Sequence, residues 1–166
     1  FFRIQVEMLG VWDTVKTTTD EDFSDNKLPD CVVAGYHAMA IDEKRKFFPV
    51  LKWHPEARVT QTWFSGVHSD VGGGYNETGL SDIALHWMID QADRHGVRFK
   101  AAAVNRLQKN PCGPLHDSYD GIWKAFGTRK RYIAKAAQVH VSTSERIQKL
   151  DEYHPANLPP EPNYVG

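Results

Sequence analysis

The chain has 166 residues, a length suited to one domain of ordinary size or to the greater part of a larger one. Its 41% hydrophobic and 25% charged residues support a buried core and exclude a compositionally disordered chain. A formal net charge of -1 excludes a global field drawing the chain to nucleic acid or to an anionic membrane.

In chain order, the opening "FFRIQVEMLGVW" has no initiator methionine and begins directly on strand-like residues, which predicts one part of a longer protein. Ile4 to Val11 reads as a strand rich in β-branched and apolar residues, running into the step Trp12-Asp13-Thr14. Lys16 to Pro29 is polar and reads as a surface loop. From Asp30 the period changes. Val33, Tyr36, Ala40 and Phe47 fall at helical spacing, with Asp30 as N-cap and Pro49 as stop. Val59 to Val67 reads as a second strand. The glycine loop that follows leads to a helix capped by Ser81, with Ala84, Trp87, Met88 and Ala92 on one face and Gly96 at its end. This alternation predicts an α/β fold, a mostly parallel sheet with crossover helices.

Beyond Gly96 the pattern weakens. Asn105 to Asp117 is irregular, Tyr119 to Phe126 suggests a short helix, and Ile133 to Val139 a strand. Ser142-x-x-Glu145 has the form of a capping box opening a helix of about two turns. The proline-rich tail "HPANLPPEPNYVG" is expected to lie extended over the surface. The short cluster Arg129, Lys130, Arg131 reads as a solvated face. No apolar run reaches the ~20 residues of a membrane helix, so no transmembrane segment is expected, and no signal peptide is visible. Cys31 and Cys112 are too few for a disulfide framework and lack metal-ligand spacing, which points to synthesis in a reducing compartment and leaves a single disulfide open.

Functional groups of open parallel sheets gather beyond the carboxyl ends of the strands. Asp13 and His68 both stand at such positions, at strand ends expected to be neighbours. A carboxylate there could fix the tautomer of an imidazole, which would then take a proton from a nucleophile. Each residue also has a structural reading, a turn cap for Asp13 and a satisfied polar group for His68. Gly72, Gly73 and Gly74 permit positive φ. They could present amides to an anion, although a tight turn that seats the next helix is the favoured reading. His68-x-Asp70 has the look of a metal pair but lacks a third ligand at suitable spacing, so no metal and no cofactor are expected. Asp70 is expected to bond loop amides and hold the loop's shape. None of Ser24, Ser65, Ser69, Ser81, Ser118, Ser142 and Ser144 stands in a Gly-x-Ser-x-Gly elbow. The nucleophile precedes the acid and the histidine in α/β hydrolases, so it is expected upstream of Phe1.

"LGVWDTV" (9–15), "HAMAIDEKRKFFPV" (37–50), "WFSGVHSDVGGGY" (63–75) and "LSDIALHWMIDQA" (80–92) together closely resemble one family. It is the α/β hydrolase family, long listed as a domain of unknown function, that includes the phospholipase effectors of type VI secretion systems. The closing "VHVSTSERIQKLDEYHPANLP" (139–159) is similar to its C-terminal portion. The resemblance implies a single partial α/β-hydrolase domain lacking the N-terminal strands and the nucleophile elbow. It implies a serine esterase or lipase with Asp13 as triad acid and His68 as general base, acting on a lipid or other ester substrate. By itself the chain is then expected to be inactive. His140, after the strand-like 133–139, is the runner-up histidine. A secreted effector of this kind would be made in the cytoplasm and delivered to another cell's periplasm. The rival reading is a catalytically empty hydrolase-like domain that binds a lipid, an immunity-type protein or a component of the secretion apparatus. A third is a metal-dependent hydrolase using His68 and Asp70.

Overall fold

A computed structural model describes residues 4–16 and 26–166. Five strands lie side by side in chain order, all parallel: β1 (Val6–Trp12), β2 (Val32–Ala40), β3 (Val59–Phe64), β4 (Gln138–His140) and β5 (Asn163–Val165). The α/β class with a parallel sheet therefore holds. Among the described residues, helices enter only after β3. They are α1 (His68–Gly72), α2 (Gly79–Arg94), α3 (Ala101–Val104) and α4 (Val141–Lys149), with a 3₁₀ turn at Gly121–Ala125 in place of the short helix expected at 119–126.

The helix expected from Asp30 is instead the strand β2 at the middle of the sheet's longest ladder. It pairs with β1 from Val6 opposite Val32 to Trp12 opposite Ala38, and with β3 from Gly35 opposite Val59 to Ala40 opposite Phe64. "VVAGYHAMA" is apolar almost throughout because both of its faces are covered, and such a run can be read at either period. Ala38 and Ala40 face a core shared with Phe64, Val71, Leu80, Ile83, Ala84, Trp87 and Met88. Met39 and Ile41, one position out of step, face a second core with Trp63, Ile133 and Val139.

The helix α2 covers the first of these faces, and Ala84, Trp87, Met88 and Ala92 are buried as their spacing indicates. It comes close to the sheet at Gly10, where a β-carbon would stand 2.6 Å from Met88 Sδ. Its N-cap position is Thr78, so Ser81 lies within the first turn rather than capping it. At α4 the N-cap is His140, whose ring nitrogen accepts the Ser142 N–H, and not Ser142 itself. The tail does not simply lie over the surface, because Asn163–Val165 completes the sheet as β5 alongside β4. Most of the polar loop expected at 16–29 lies outside the described residues, and within its described part Leu28 is buried. No helix of the described residues is long and apolar enough to cross a membrane.

Candidate active site

Because the strands are parallel, Asp13 after β1, Asp42 and Glu43 after β2, and His68 after β3 all lie at one edge of the sheet. The ends of β1 and β3 are not immediate neighbours, since β2 runs between them. The side chains of Asp13 and His68 nevertheless meet across it, with Oδ2 of Asp13 2.8 Å from Nδ1 of His68. Asp13 itself takes φ +38°, a left-handed conformation that aspartate tolerates through its short polar side chain. Its N–H donates to the Ala38 carbonyl at 2.7 Å.

The Asp13 carboxylate is fully buried and fully engaged. Oδ1 accepts the Ala40 N–H at 2.8 Å and one Nη1 bond of Arg131, and Oδ2 accepts Arg131 Nη2 at 3.0 Å as well as the His68 ring. Burial pushes its pKa upward, but the bonds from His68, Arg131 and Ala40 and the guanidinium charge outweigh that and hold it below the ordinary aspartate value. The carboxyl is thus ionised at neutral pH. With Asp13 ionised, the proton of the Asp13–His68 bond belongs to Nδ1, and the tautomer that this selects carries its acceptor at Nε2.

Arg131 corrects the reading of the basic cluster as a solvated face. Arg129 and Lys130 are exposed, but Arg131 is buried, with Nη1 also donating to the Ala40 carbonyl and Nη2 to that of Phe48. Glu43 is a second buried charge that sequence reading missed. It binds Arg45 through Nε, Nη2 and the backbone N–H, takes the Ser118 hydroxyl at 3.0 Å, and accepts the His68 N–H at 3.2 Å. Burial would raise its pKa, yet the Arg45 bonds and charge bring it below the usual glutamate value. Glu43 therefore fixes the backbone of His68 while Asp13 fixes its ring. The ring is 32% exposed and meets Phe48 edge-on, with centroids 5.5 Å apart. Among the described residues nothing hydrogen-bonds its Nε2.

The glycine segment is partly helical. His68 opens the single turn α1, and Gly72 closes it before Gly73 (φ +86°) and Gly74 (φ +129°) turn the chain toward α2. Asp70 accepts the Val67 N–H at 3.0 Å, as expected of a residue holding the loop. It also bonds His116, through the backbone N–H at 3.2 Å and through Nδ1 at 2.6 Å. His116 in turn is stacked on Tyr75, with ring centroids 3.6 Å apart, and its Nε2 lies 3.5 Å from Glu77. Gly66 is required here, because at φ +119° a β-carbon would meet that of Asp70 at 2.5 Å.

His140, the runner-up histidine, is not part of this cluster. It stacks on Phe64 and bonds Ser142 Oγ at 2.8 Å, and burial lowers its pKa to about 4. Of the serines, Ser65 bonds Thr143, Ser118 bonds Glu43 and Ser81 bonds the Thr78 carbonyl, and Ser24 lies outside the described residues. No described serine hydrogen-bonds His68. Among the described residues, no three His, Cys, Asp or Glu side chains are grouped to hold a metal ion.

Over 52 residues the chain is 42% identical to an uncharacterized protein of Saccharomyces cerevisiae, YEL023C. That stretch covers 28% of this chain and only 8% of the yeast protein's length. No solved structure matches. A family model described as "T6SS, Phospholipase effector Tle1-like, catalytic domain" matches residues 2–91, the part that carries β1 to β3, Asp13, Glu43 and His68. The chain belongs to this family of Tle1-like phospholipase effector catalytic domains.

Proposed function

We propose that this chain supplies the acid and the base of a serine esterase that cleaves phospholipid acyl esters, within a partial α/β-hydrolase domain whose nucleophilic serine lies upstream of Phe1. The observation that carries this reading is the buried, ionised Asp13 on Nδ1 of His68, with Nε2 left open as an acceptor. The membership in a phospholipase effector family supports the substrate class.

In the proposed reaction the serine Oγ attacks the ester carbonyl carbon as its proton passes to Nε2 of His68. Collapse of the tetrahedral intermediate expels the alcohol, which takes that proton from Nε2, and an acyl-serine remains. Water then repeats the sequence and releases the fatty acid. Asp13 never takes the proton. Because Arg131 neutralises much of its charge, it acts on the imidazole chiefly through tautomer and orientation. The oxyanion would be held by backbone amides near the serine.

The absence of any described serine at His68 favours a second reading, a catalytically empty domain that binds a lipid, an immunity-type protein or part of the secretion apparatus. A fluorophosphonate probe separates the two. Applied to this chain and to the longest natural product of its gene, it should label only the longer protein, at a serine upstream of Phe1. A folded longer protein that takes no label would favour the binding domain.

A further inference from the structure

Two segments distant in sequence form a single antiparallel ribbon beside His68. Arg45 bridges Thr128, the Lys46 N–H donates to the Gly127 carbonyl at 3.3 Å, and the Arg129 N–H donates to the Lys44 carbonyl at 2.8 Å. Aromatic rings run without a break from the histidine to the tip of this ribbon. Phe48 lies 5.5 Å from His68, Trp123 5.2 Å from Phe48, Phe126 6.1 Å from Trp123, and Phe47 5.5 Å from Phe126. The outer members are in solvent: Phe47 is 50% exposed, Phe126 42% and nearby Tyr132 78%. Large rings left open in this way, and supported by one another, mark an interaction surface rather than stray surface residues.

Among the described residues, the unpaired charges around these rings are of one sign. Lys46, Lys52, Arg129 and Lys130 line, with Tyr132, an open cavity of about 210 Å³. Among the described residues no carboxylate comes within ion-pair distance of these four, whereas their neighbours Lys44, Arg45 and Lys124 are paired with Asp117, Glu43 and Asp120. In a chain of net charge -1 this is a local concentration of uncompensated cations. Polynucleotides would satisfy the cations, but the pairs Phe47–Phe126 and Phe48–Trp123 meet edge to face and present ring edges rather than a run of open ring faces for bases. Amphipathic rings among free lysines and arginines match a lipid interface, where aromatics settle at headgroup level and cations meet phosphates.

We infer that this ribbon is the face by which the protein docks on an anionic phospholipid bilayer. Phe47, Phe126 and Tyr132 enter the interface, and Lys46, Lys52, Arg129 and Lys130 meet the lipid phosphates. The aromatic row then leads from the bilayer to His68. The inference rests on the reading of the site as lipid-directed, and it assigns that site an approach surface.

The test is co-sedimentation of the full chain with vesicles of phosphatidylcholine, with and without phosphatidylglycerol. Binding should require the anionic lipid and weaken with salt. The pair Arg129→Gln and Lys130→Gln should weaken it on the order of 20-fold, at about five-fold per charge, and Phe47→Ser with Phe126→Ser should abolish it. Lys135→Gln with Lys149→Gln, which removes two charges outside the ribbon, should change nothing. If either ribbon variant fails to fold, the exposed pair Lys46→Gln and Lys52→Gln takes its place. No vesicle binding, or binding insensitive to every ribbon variant, overturns the inference, as does binding to single-stranded RNA instead of vesicles. Hydrolysis of a soluble short-chain ester by the longer gene product, lost on His68→Ala, reports separately on the esterase reading. It would persist if only the docking face were wrong.

Discussion

Among the described residues, two hydrogen-bonded Asp–His pairs each have one member in the short segment from His68 to Asp70, and they are not equivalent. In both, a nearly fully buried carboxylate meets Nδ1 of a partly exposed ring, at 2.8 Å for Asp13–His68 and 2.6 Å for Asp70–His116. The difference is at the other nitrogen. Nε2 of His68 has no partner among the described residues, whereas Nε2 of His116 faces Glu77 and its ring lies stacked under Tyr75. Their carboxylates differ as well. Asp13 is shared with Arg131 at a strand end, and Asp70 is shared with the amides of Val67 and His116, which join two loops. An aspartate on an imidazole is therefore not itself a catalytic signature. A base needs an unoccupied second nitrogen, and by that criterion the first pair fits a reaction and the second a fastening.

The largest expected difference follows directly. In a protein that carries the proposed upstream serine, His68→Ala should lower ester turnover by about 10⁶-fold, while His116→Ala should lower it by less than about ten-fold. Steady-state rates on a soluble ester, with folding checked by circular dichroism, decide the matter. Equal losses in the two variants would remove the distinction, and an unchanged rate in the first would remove His68 from the reaction.

Next in size is the support beneath the first pair. Arg131→Met leaves the Asp13 carboxylate buried without its cation, and breaking such a pair costs about 3–5 kcal/mol. The pH dependence carries a sign. Asp13 has a lowered pKa in the folded state, so its stabilising contribution is present above the unfolded value of ~3.9 and is lost as pH falls through the folded one. Urea denaturation should then show a gap between wild type and variant at neutral pH that narrows in acid. A gap that widened would mean that Asp13 is not the group Arg131 stabilises.

A third histidine shows what happens without a carboxylate in contact. His37 is buried on β2 with Nε2 accepting the Thr14 N–H at 3.1 Å, and burial lowers its pKa to about 4. The unfolded chain takes up a proton there near pH 6.5 while the folded one does not. Stability should fall as pH drops from 6.5 towards 4, by up to about 3 kcal/mol at 1.36 kcal/mol per unit. His37→Gln, which keeps an acceptor for Thr14, should flatten that slope in denaturation curves. His140, also lowered to about 4, would leave a remainder. An unaltered slope would show that His37 is already charged in the folded protein.

What could be read in the sequence was local. A strand ending in Trp-Asp-Thr, another leading to Gly-Val-His, and four buried residues at helical spacing in α2 need only their neighbours to be recognised. β2 was misread because a strand covered on both faces has no alternation to display, and Val33, Tyr36 and Ala40 fell by chance at helical intervals. Arg131 and Glu43 were missed for another reason. A charged residue looks solvated until its partner is known, and Arg131 finds Asp13 at a separation of 118 residues. His116 was invisible likewise, lying 46 residues from Asp70 in an irregular stretch. β5 escaped because three residues in a proline-rich tail carry too little pattern to mark a strand.

The smallest effect belongs to the fastening pair and tests whether it only fastens. Tyr75 contributes the stack on His116, and such a ring pair is worth about 0.5–1.5 kcal/mol beyond its buried area. Tyr75→Leu should therefore lower stability by about 1 kcal/mol and loosen the segment from Asp70 to Glu77, seen as faster amide hydrogen exchange there. Ester turnover should stay within two- to three-fold of wild type, because Glu43 and Asp13 hold His68 independently of Tyr75, through its backbone N–H and its ring. A larger loss of turnover without a matching loss of stability would mean that the second pair is coupled to the first through the single helical turn they share. His68 and Asp70 would then have to be treated as one unit.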